Sequence, residues 1–344
     1  GRSVRRDVRS CFHQLTPPPL IVRIYAVRHD QYNYPACPGW VTGQARLDQG
    51  WANLGPAEPP SKNRAGRTSA HNELVQPNEE LREFLRSRRA RLEPPEPVGV
   101  RRVPGLRREE VARLAGVSVD YYSRLEQGRA PHPSAELLDA VARALRLDET
   151  ERAYLVQIAT RTRRSRKKPP PRVQRVRPGV RRLLETLGPH VPAFVFGRRM
   201  DVLAINRLAA ALLIDFEALP PRDRNMLRFT FLHEPTRELY TDWEKVAREN
   251  VRVLRLDAGR HPDDPLLAEL VGELAVKSEE FRRWWAEHDV AERSHGTKRY
   301  HHPLVGDVTV DYECLALPGD PDQTLCVYTA EPGSPSETAL RLLA

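Results

Sequence analysis

Hydrophobic and polar positions along the first 68 residues follow neither a helical nor a strand period. Prolines recur throughout this segment, including three in succession at residues 17–19, and proline interrupts both helices and β-ladders. Two tryptophans, Trp40 and Trp51, are too few to build a hydrophobic core. We therefore expect residues 1–77 to form an irregular N-terminal extension, to which we assign no function.

A helical period begins at Asn78. Leu81 and Phe84 fall near one face of a helix over residues 78–92, and Asn78 is placed to accept a hydrogen bond from a backbone amide of the first turn. After a proline-containing loop, the same period returns in a dense series of short helices. The pattern therefore predicts an all-α region over residues 78–160.

Within this region, two of the short helices are joined by a tight turn. The first covers residues 109–114 and is expected to turn Val111, Ala112 and Leu114 inward. Gly116 lies just past its end, where glycine adopts a left-handed backbone without a steric penalty. This spacing predicts a helix-turn-helix.

The second helix of the pair begins after Ser118, which can cap it, and turns Tyr122 and Leu125 toward the first helix. Its other side chains therefore point outward. An outward arginine can pair with a guanine edge or a phosphate, an outward aspartate can accept from cytosine or orient an arginine, and a helix N-terminus suits a phosphate oxygen. The candidate DNA-contacting residues are Arg107, Arg108, Ser118, Val119, Asp120, Tyr121, Ser123 and Arg124.

The order of these features resembles the Cro and phage-repressor type of helix-turn-helix, the xenobiotic-response-element family. The resemblance implies a five-helix DNA-binding domain in which Glu126 is structural. Where the family often has Gln, this chain has Arg108, so the base contact of that position is not carried over. The family pattern E-E-L-A, G-V-S, E-x-G and P-S is met at residues 109–112, 116–118, 126–128 and 133–134.

Charge is distributed unevenly along the chain, whose net charge is +9. Residues 1–77 carry +5, residues 78–182 carry +12 and residues 183–344 carry −8. A basic middle third beside an acidic C-terminal half is expected when one domain meets a polyanion and the other does not. Nine basic residues, three consecutive prolines and no acid in residues 161–177 also predict a linker over residues 161–178.

The C-terminal half, residues 179–344, mixes strand and helix patterns. Two short apolar runs around a polar turn predict a β-hairpin, and several helices follow it. Near the end, Val308, Val310 and Tyr312 alternate with polar residues, as in a strand with one buried face. Strands, a block of helices and then further strands form an α+β order that suits an antiparallel sheet covered by helices.

This order resembles a PAS-like sensor domain. The segments RDRNMLRFTFLHEP and GTKRYHHPLVGDVTVDY, together with the helix-turn-helix, resemble the MmyB-like regulators over residues 78–344. The resemblance implies a PAS-like ligand-binding domain whose pocket holds a small, apolar ligand. Core packing without a ligand is the alternative explanation for each candidate. The candidate ligand-binding residues are Phe194, Phe196, Trp243, Trp284, Trp285, Tyr312 and Tyr328.

Four cysteines, Cys11, Cys37, Cys314 and Cys326, match neither the spacing of a structural zinc site nor a dense disulfide framework. A reducing compartment is therefore expected. No apolar run approaches the ~18 residues that a membrane span needs, and no signal-peptide pattern is present. We expect a cytoplasmic protein without a membrane partner.

Three histidines, His295, His301 and His302, are close enough in sequence to suggest a metal site or a general base. No further signature supports either, because His301 and His302 point to opposite faces of a strand and the sequence has no phosphate-loop, dinucleotide or metalloprotease motif. We therefore expect no catalytic site, no metal, no cofactor and no enzymatic activity.

These patterns predict a sequence-specific DNA-binding transcriptional regulator that acts as a homodimer on double-stranded DNA, with residues 118–127 in the major groove. The C-terminal domain would sense the ligand, and the linker would pass the change to the spacing of the half-sites. Two alternatives stay open. The C-terminal domain could bind a protein partner without a ligand, or the chain could be a sensor enzyme that depends on His302.

Overall fold

The computed structural model of the chain describes residues 77–93, 105–130, 132–160 and 173–344. Almost all of the expected N-terminal extension, including Cys11 and Cys37, lies outside these residues, and so does most of the expected linker.

Helices alone form the first described region. Side chains at four N-cap positions, the predicted Asn78 and Ser118 and also Ser134 and Asp148, each accept a hydrogen bond from a backbone amide three residues later, which satisfies one amide of a first turn. The helices are α1 (Glu79–Arg91), α2 (Arg108–Ala115), α3 (Val119–Glu126), α4 (Ala135–Ala144) and α5 (Glu149–Ala159).

One position in this region corrects the sequence-based expectation. Val111 and Ala112 are buried as predicted, but Leu114 exposes 58% of its surface. At 3.6 residues per turn, Leu114 lies roughly 110° from the direction midway between Val111 and Ala112, whereas Ala115 returns to that face. Ala115 accordingly packs against the core in place of Leu114.

The second described region is built on one antiparallel sheet with the strand order β2-β1-β5-β4-β3. This confirms the expected α+β class and the PAS-like domain with an antiparallel sheet. The strands are β1 (Ala193–Phe196), β2 (Val202–Ile205), β3 (His295–His302), β4 (Gly306–Leu317) and β5 (Asp320–Thr329).

Helices cover both faces of the sheet. The larger core lies between one sheet face and the helices that separate β2 from β3, and a smaller core lies between the other face and α6. Strand β1 contributes alternate residues to the two cores, which explains its uninterrupted apolar run. The helices are α6 (Pro178–Leu187), α7 (Arg207–Leu212), α8 (Met226–Leu232), α9 (Thr236–Leu239), α10 (Trp243–Arg260), α11 (Pro265–Lys277), α12 (Glu279–Trp285) and α13 (Pro335–Leu343).

Strands β4 and β5 also bring two cysteines together. Cys314 faces Cys326 in the ladder, and a disulfide joins them. The sequence did not indicate this bond, because two cysteines 12 residues apart meet only when the hairpin register places them opposite each other. None of the described helices is both long enough and apolar enough to span a bilayer.

Candidate nucleic-acid interface and ligand core

The turn between α2 and α3 has the geometry that the sequence predicts. Gly116 ends α2 with φ of 69°, and its amide donates to the carbonyl of Arg113 at 3.2 Å. Ser118 then caps α3, because its Oγ accepts from the amide of Tyr121 at 3.1 Å. Tyr122 and Leu125 are fully buried against the neighbouring helices, as expected.

The opposite face of α3 is open to solvent. Val119 exposes 43% of its surface, Asp120 and Arg124 are exposed, and Tyr121 and Ser123 are half-buried. The guanidinium of Arg124 lies 5.9 Å from the ring centre of Tyr121 and 3.9 Å from the carboxylate of Asp120. Such contacts are weak at an exposed surface, so these side chains stay free to contact another molecule.

Two arginines converge on the buried carboxylate of Glu126. Arg89 donates from Nε and Nη2 at 2.8 and 3.0 Å, and Arg108 donates from Nε at 2.9 Å. Burial alone raises the pKa of Glu126, but Arg89 and Arg108 outweigh it and lower that pKa. Glu126 is therefore a structural anion, as the family resemblance implied, and it holds the Nε of Arg108. Arg107, one residue earlier, is exposed.

The predicted ligand residues lie in the larger core of the second region. Phe194 packs edge-on against Phe196 and Tyr328, with ring centres 4.9 and 5.2 Å apart. Trp243 and Trp284 form a second contact at 6.2 Å, and Tyr312 lies 6.2 Å from Tyr328. Six of the seven candidates are thus brought into one core, where they pack against each other.

The seventh candidate, Trp285, is only partly buried. Its ring stacks on Phe281 with centres 5.7 Å apart, and the guanidinium of Arg255 lies 3.7 Å from its ring centre. A cavity of about 470 Å³ elsewhere in the domain lies beside α6 and β2, and none of the seven candidates lines it.

A buried lysine, Lys298 of β3, lies beside this aromatic core and was not among the candidates. It is 4% exposed, and its ammonium lies 5.2 and 5.9 Å from the ring centres of Tyr312 and Tyr240. The charge of Glu249 favours its protonated form. Burial, and then the charge of Arg293, lower the pKa of Lys298 to about 7.

The strand pattern could have revealed Lys298. On β3 the buried side chains are Lys298, Tyr300 and His302, whereas the residues between them are exposed. A lysine in the buried register of a strand is a signal of function, because burying a cation is costly.

Near Lys298, a carboxylate links the sheet to α10. Glu249 accepts a hydrogen bond from the hydroxyl of Tyr312 at 2.6 Å. Burial raises the pKa of Glu249, but the charges of Lys298 and Arg293 and the Tyr312 hydroxyl lower it overall. Arg293 in turn donates to the side-chain oxygen of Asn250. The core between the sheet and α10 therefore combines aromatic surface with a small set of charged groups.

The three histidines considered as metal or catalytic residues do not converge. His301 is exposed and contacts Asp307 at 2.7 Å, while His302 is buried on the opposite face, with Nε2 3.1 Å from the carbonyl of Ala211. The other ring nitrogen of His302 accepts from the amide of Leu304 at 3.3 Å. Both ring nitrogens of His302 are thus engaged by the backbone.

Two family comparisons agree with this geometry. Residues 80–155 match a helix-turn-helix domain, and residues 176–343 match the MmyB-like transcription regulator ligand binding domain. The chain is a helix-turn-helix regulator with an MmyB-like ligand-binding domain. No curated protein sequence matches the regulator. The two families make it a ligand-responsive transcription regulator with a DNA-binding domain.

The two domains of the regulator contact each other through α10. Arg255 of α10 is 4% exposed and donates to Glu80 of α1 at 3.2 Å and to the carbonyl of Trp285. The hydroxyl of Tyr154 on α5 also donates to Glu80. Burial raises the pKa of Glu80, but His288, Arg255 and Tyr154 together lower it to about 2.

A loop of the ligand-binding domain completes this contact. Residues 286–294, which we call the interdomain loop, connect α12 to β3. Arg88 of α1 donates to the carbonyl of His288 at 2.7 Å, and Val290 is buried in the core of the DNA-binding domain.

On α10, Gly259 allows a close approach between the domains. A Cβ atom at this position would lie 2.3 Å from the ring of Tyr154. The regulator therefore docks its ligand-binding domain on α1 and α5, away from the exposed residues of α3.

Proposed function

We propose that the regulator binds a two-fold symmetric DNA site as a homodimer and that a small molecule in the C-terminal domain changes its affinity for that site. The observation that carries the proposal is that the ligand-binding domain docks on α1 and α5 while the outward face of α3 stays exposed. DNA and ligand can then act on the same chain at the same time. We place this activity in the cytoplasm.

The exposed face of α3 supplies the proposed base contacts. Arg124 can donate to a guanine edge, with Asp120 orienting it, and Val119 can contact a thymine methyl group. Arg107 and Arg108 lie at the start of α2, where they can bind phosphates. Ser118, Tyr121 and Ser123 complete the surface around the N-terminus of α3, which favours an anion.

Dimerisation is proposed from the size of this surface. One eight-residue helix reads only a few base pairs. Two copies related by a two-fold axis would read half-sites about 34 Å apart, or about one turn of DNA. The DNA site is therefore expected to be palindromic.

The ligand is proposed to enter the core between the sheet and α10. The aromatic candidates offer an apolar surface, and Lys298 offers a desolvated donor for one hydrogen-bond-accepting or anionic group. In the structure these side chains pack against each other, so ligand binding must move α10 relative to the sheet. The proposed contacts are Phe194, Phe196, Trp243, Trp284, Trp285, Tyr312, Tyr328 and Lys298.

Helix α10 is the proposed route from the ligand to the DNA-binding domain. Glu249 binds Tyr312 of the sheet, and Arg255, six residues later on the same helix, binds Glu80 of α1. These positions are about 9 Å apart along the helix axis. A ligand that separates Glu249 from Tyr312 therefore displaces the helix that carries Arg255. This route through α10 would act in addition to the linker of residues 161–178, most of which lie outside the described structure.

The test begins with the intact regulator. Its mass is compared under native and denaturing conditions, and its DNA site is selected from random sequence. A copurified small molecule, lost in a Lys298→Met variant, together with a palindromic site is expected. A tightly bound protein partner with no small molecule would favour an interaction domain, and the absence of any enriched DNA site would contradict the DNA-binding proposal.

A further inference from the structure

The cysteine pair of the sheet occupies a position suited to reversible bonding. The backbone amide of Cys314 donates to the carbonyl oxygen of Ser294, on the side of β4 that faces away from β5. Cys314 and Cys326 therefore form a non-hydrogen-bonded pair, the position where facing strands approach most closely. Their Cα atoms are 4.3 Å apart.

The two sulfurs differ in access. Cys326 is 1% exposed and belongs to the larger core, whereas Cys314 is half-buried at the edge of that core. A small thiol reagent can therefore reach Cys314 first, and Cys326 lies behind it as the resolving partner.

The bond is not needed to hold the hairpin together. The ladder continues on both sides of the pair, with Glu313 opposite Val327 and Leu315 opposite Leu325. A DNA-binding regulator also works where thiols are kept reduced, and disulfides in such compartments are mostly transient and redox-sensing. This step rests on the proposed cytoplasmic DNA-binding function.

Two hydrogen bonds at or near Cys314 involve the segments that contact the DNA-binding domain. Ser294, which accepts from the amide of Cys314, is the last residue of the interdomain loop. Two residues before Cys314, Tyr312 binds Glu249 of α10. A change in the spacing of β4 and β5 at Cys314 therefore acts on both segments that hold α1 and α5.

We propose that Cys314 and Cys326 form a reversible thiol–disulfide site that responds to low-molecular-weight disulfides and alters the docking of the DNA-binding domain. The Cys314 thiolate attacks a disulfide RSSR, forms a mixed disulfide and releases one thiolate RS⁻. The Cys326 thiolate then attacks the Cys314 sulfur and releases the second RS⁻. Two protein thiols and RSSR thus become one protein disulfide and two RSH, and excess RSH reverses both steps.

The redox state can be assigned directly. Trypsin cuts after Arg299 and next after Arg341, so one peptide of residues 300–341 contains both cysteines. The full chain is equilibrated with glutathione at a series of reduced-to-oxidised ratios, then alkylated and digested. We expect the peptide to change from two labels to none across ratios between those of reducing and oxidising compartments. A peptide that stays disulfide-bonded, or stays fully labelled, throughout the series would overturn the proposal.

The structural consequence is measured on the same samples by hydrogen exchange. We expect exchange in residues 286–294 to differ between the oxidised and reduced chain, and DNA affinity to change by about fivefold or more. A Cys314→Ser variant should give the reduced behaviour under all ratios, whereas a Cys11→Ser/Cys37→Ser variant should respond like the wild type. Redox cycling with unchanged exchange in this loop would also overturn the proposal.

This test is independent of the small-molecule ligand. Labelling and hydrogen exchange need neither the ligand nor the DNA site, so they give an answer even if ligand-dependent regulation fails. Conversely, a chain that responds to its ligand but shows no redox change would contradict only the proposal of a thiol–disulfide site.

Discussion

At the level of single residues, Glu126 shows how one buried anion organises the proposed DNA-binding surface. Its carboxylate binds Arg89 inside the domain and Arg108 at the edge of the exposed face. The terminal part of Arg108 is thereby positioned, because 45% of its side chain remains exposed while its Nε is held. Arg124, by contrast, has only weak contacts with exposed neighbours.

Replacing Arg124 tests the proposed base readout. Arg124→Ala is expected to weaken specific DNA binding by roughly 1–3 kcal/mol and to relax specificity at one base pair, because a bidentate contact would be lost. Affinities for the selected site and its single-base variants are compared with those of Arg341→Ala, which removes an equal charge from α13. A uniform loss across all sequences would instead make Arg124 a phosphate contact.

The buried Lys298 is expected to make the free energy of unfolding depend on pH in an unusual way. In the unfolded chain, Lys298 has a pKa near 10.5 and stays protonated up to about that pH. In the folded chain, burial lowers its pKa to about 7. Unfolding therefore takes up a proton between these values, and Lys298 makes stability rise with pH across that window. We expect the ligand-free chain to gain about 2 kcal/mol from pH 7 to pH 9 relative to Lys298→Met.

Urea unfolding at each pH measures this difference. Subtracting the curve of Lys298→Met removes the contribution of all other titrating groups. Parallel pH profiles for the two proteins would show that Lys298 keeps an ordinary pKa and carries no special role in the core.

At the level of helices and strands, local signals were predictable and long-range ones were not. The caps at Asn78 and Ser118 follow from neighbouring residues, so the sequence alone places them correctly. The pairing of Cys314 with Cys326 depends on hairpin register. The contact of Arg255 with Glu80 depends on domain docking, which no local pattern encodes.

The candidate sites likewise differ in how far local sequence patterns could identify their residues. Exposed residues of α3 could be named from helical periodicity, because the face that packs inward is marked by Tyr122 and Leu125. In the larger core of the second region, the aromatic side chains were chosen as ligand candidates because they offer an apolar contact surface. Lys298 was overlooked, although it shares the buried register of Tyr300 on β3, because a lysine is usually exposed.

Breaking the contact between α1 and α10 tests its strength. Glu80→Gln or Arg255→Met alone should lower the free energy of unfolding by about 3–5 kcal/mol, because each leaves a partner of a buried pair without its counter-charge. The double variant should lose less than the two single losses combined. Because the pKa of Glu80 is lowered to about 2, its contribution is complete above pH 4.5 and is lost as the pH falls toward 2.

A matched pair on α13 serves as the control for this cycle. Glu337 and Arg341 form an ion pair in which 69% of the Arg341 side chain and 32% of the Glu337 side chain are exposed, and such surface pairs contribute only about 0.2–1 kcal/mol. Chemical denaturation of all variants gives both coupling energies. Equal coupling in the two cycles would show that the Glu80–Arg255 contact has no special strength.

At the level of the whole molecule, the two domains have complementary roles and opposite charge. The basic residues are concentrated in and after the DNA-binding domain, and the acidic residues in the C-terminal half. This separation favours an approach to DNA by the helix-turn-helix and keeps the acidic domain away from the phosphates. In the proposed mechanism, docking through α10 would let the second domain control the first without touching DNA.

DNA affinity with and without the ligand is the most direct test of this account. The full chain is titrated with its selected DNA site in the ligand-loaded and ligand-free states, and Arg255→Met is titrated in parallel. The account predicts that the two states of the wild type differ by about 5–150-fold, and that Arg255→Met loses most of this difference while still binding the ligand. Equal DNA affinity of the two wild-type states would contradict it.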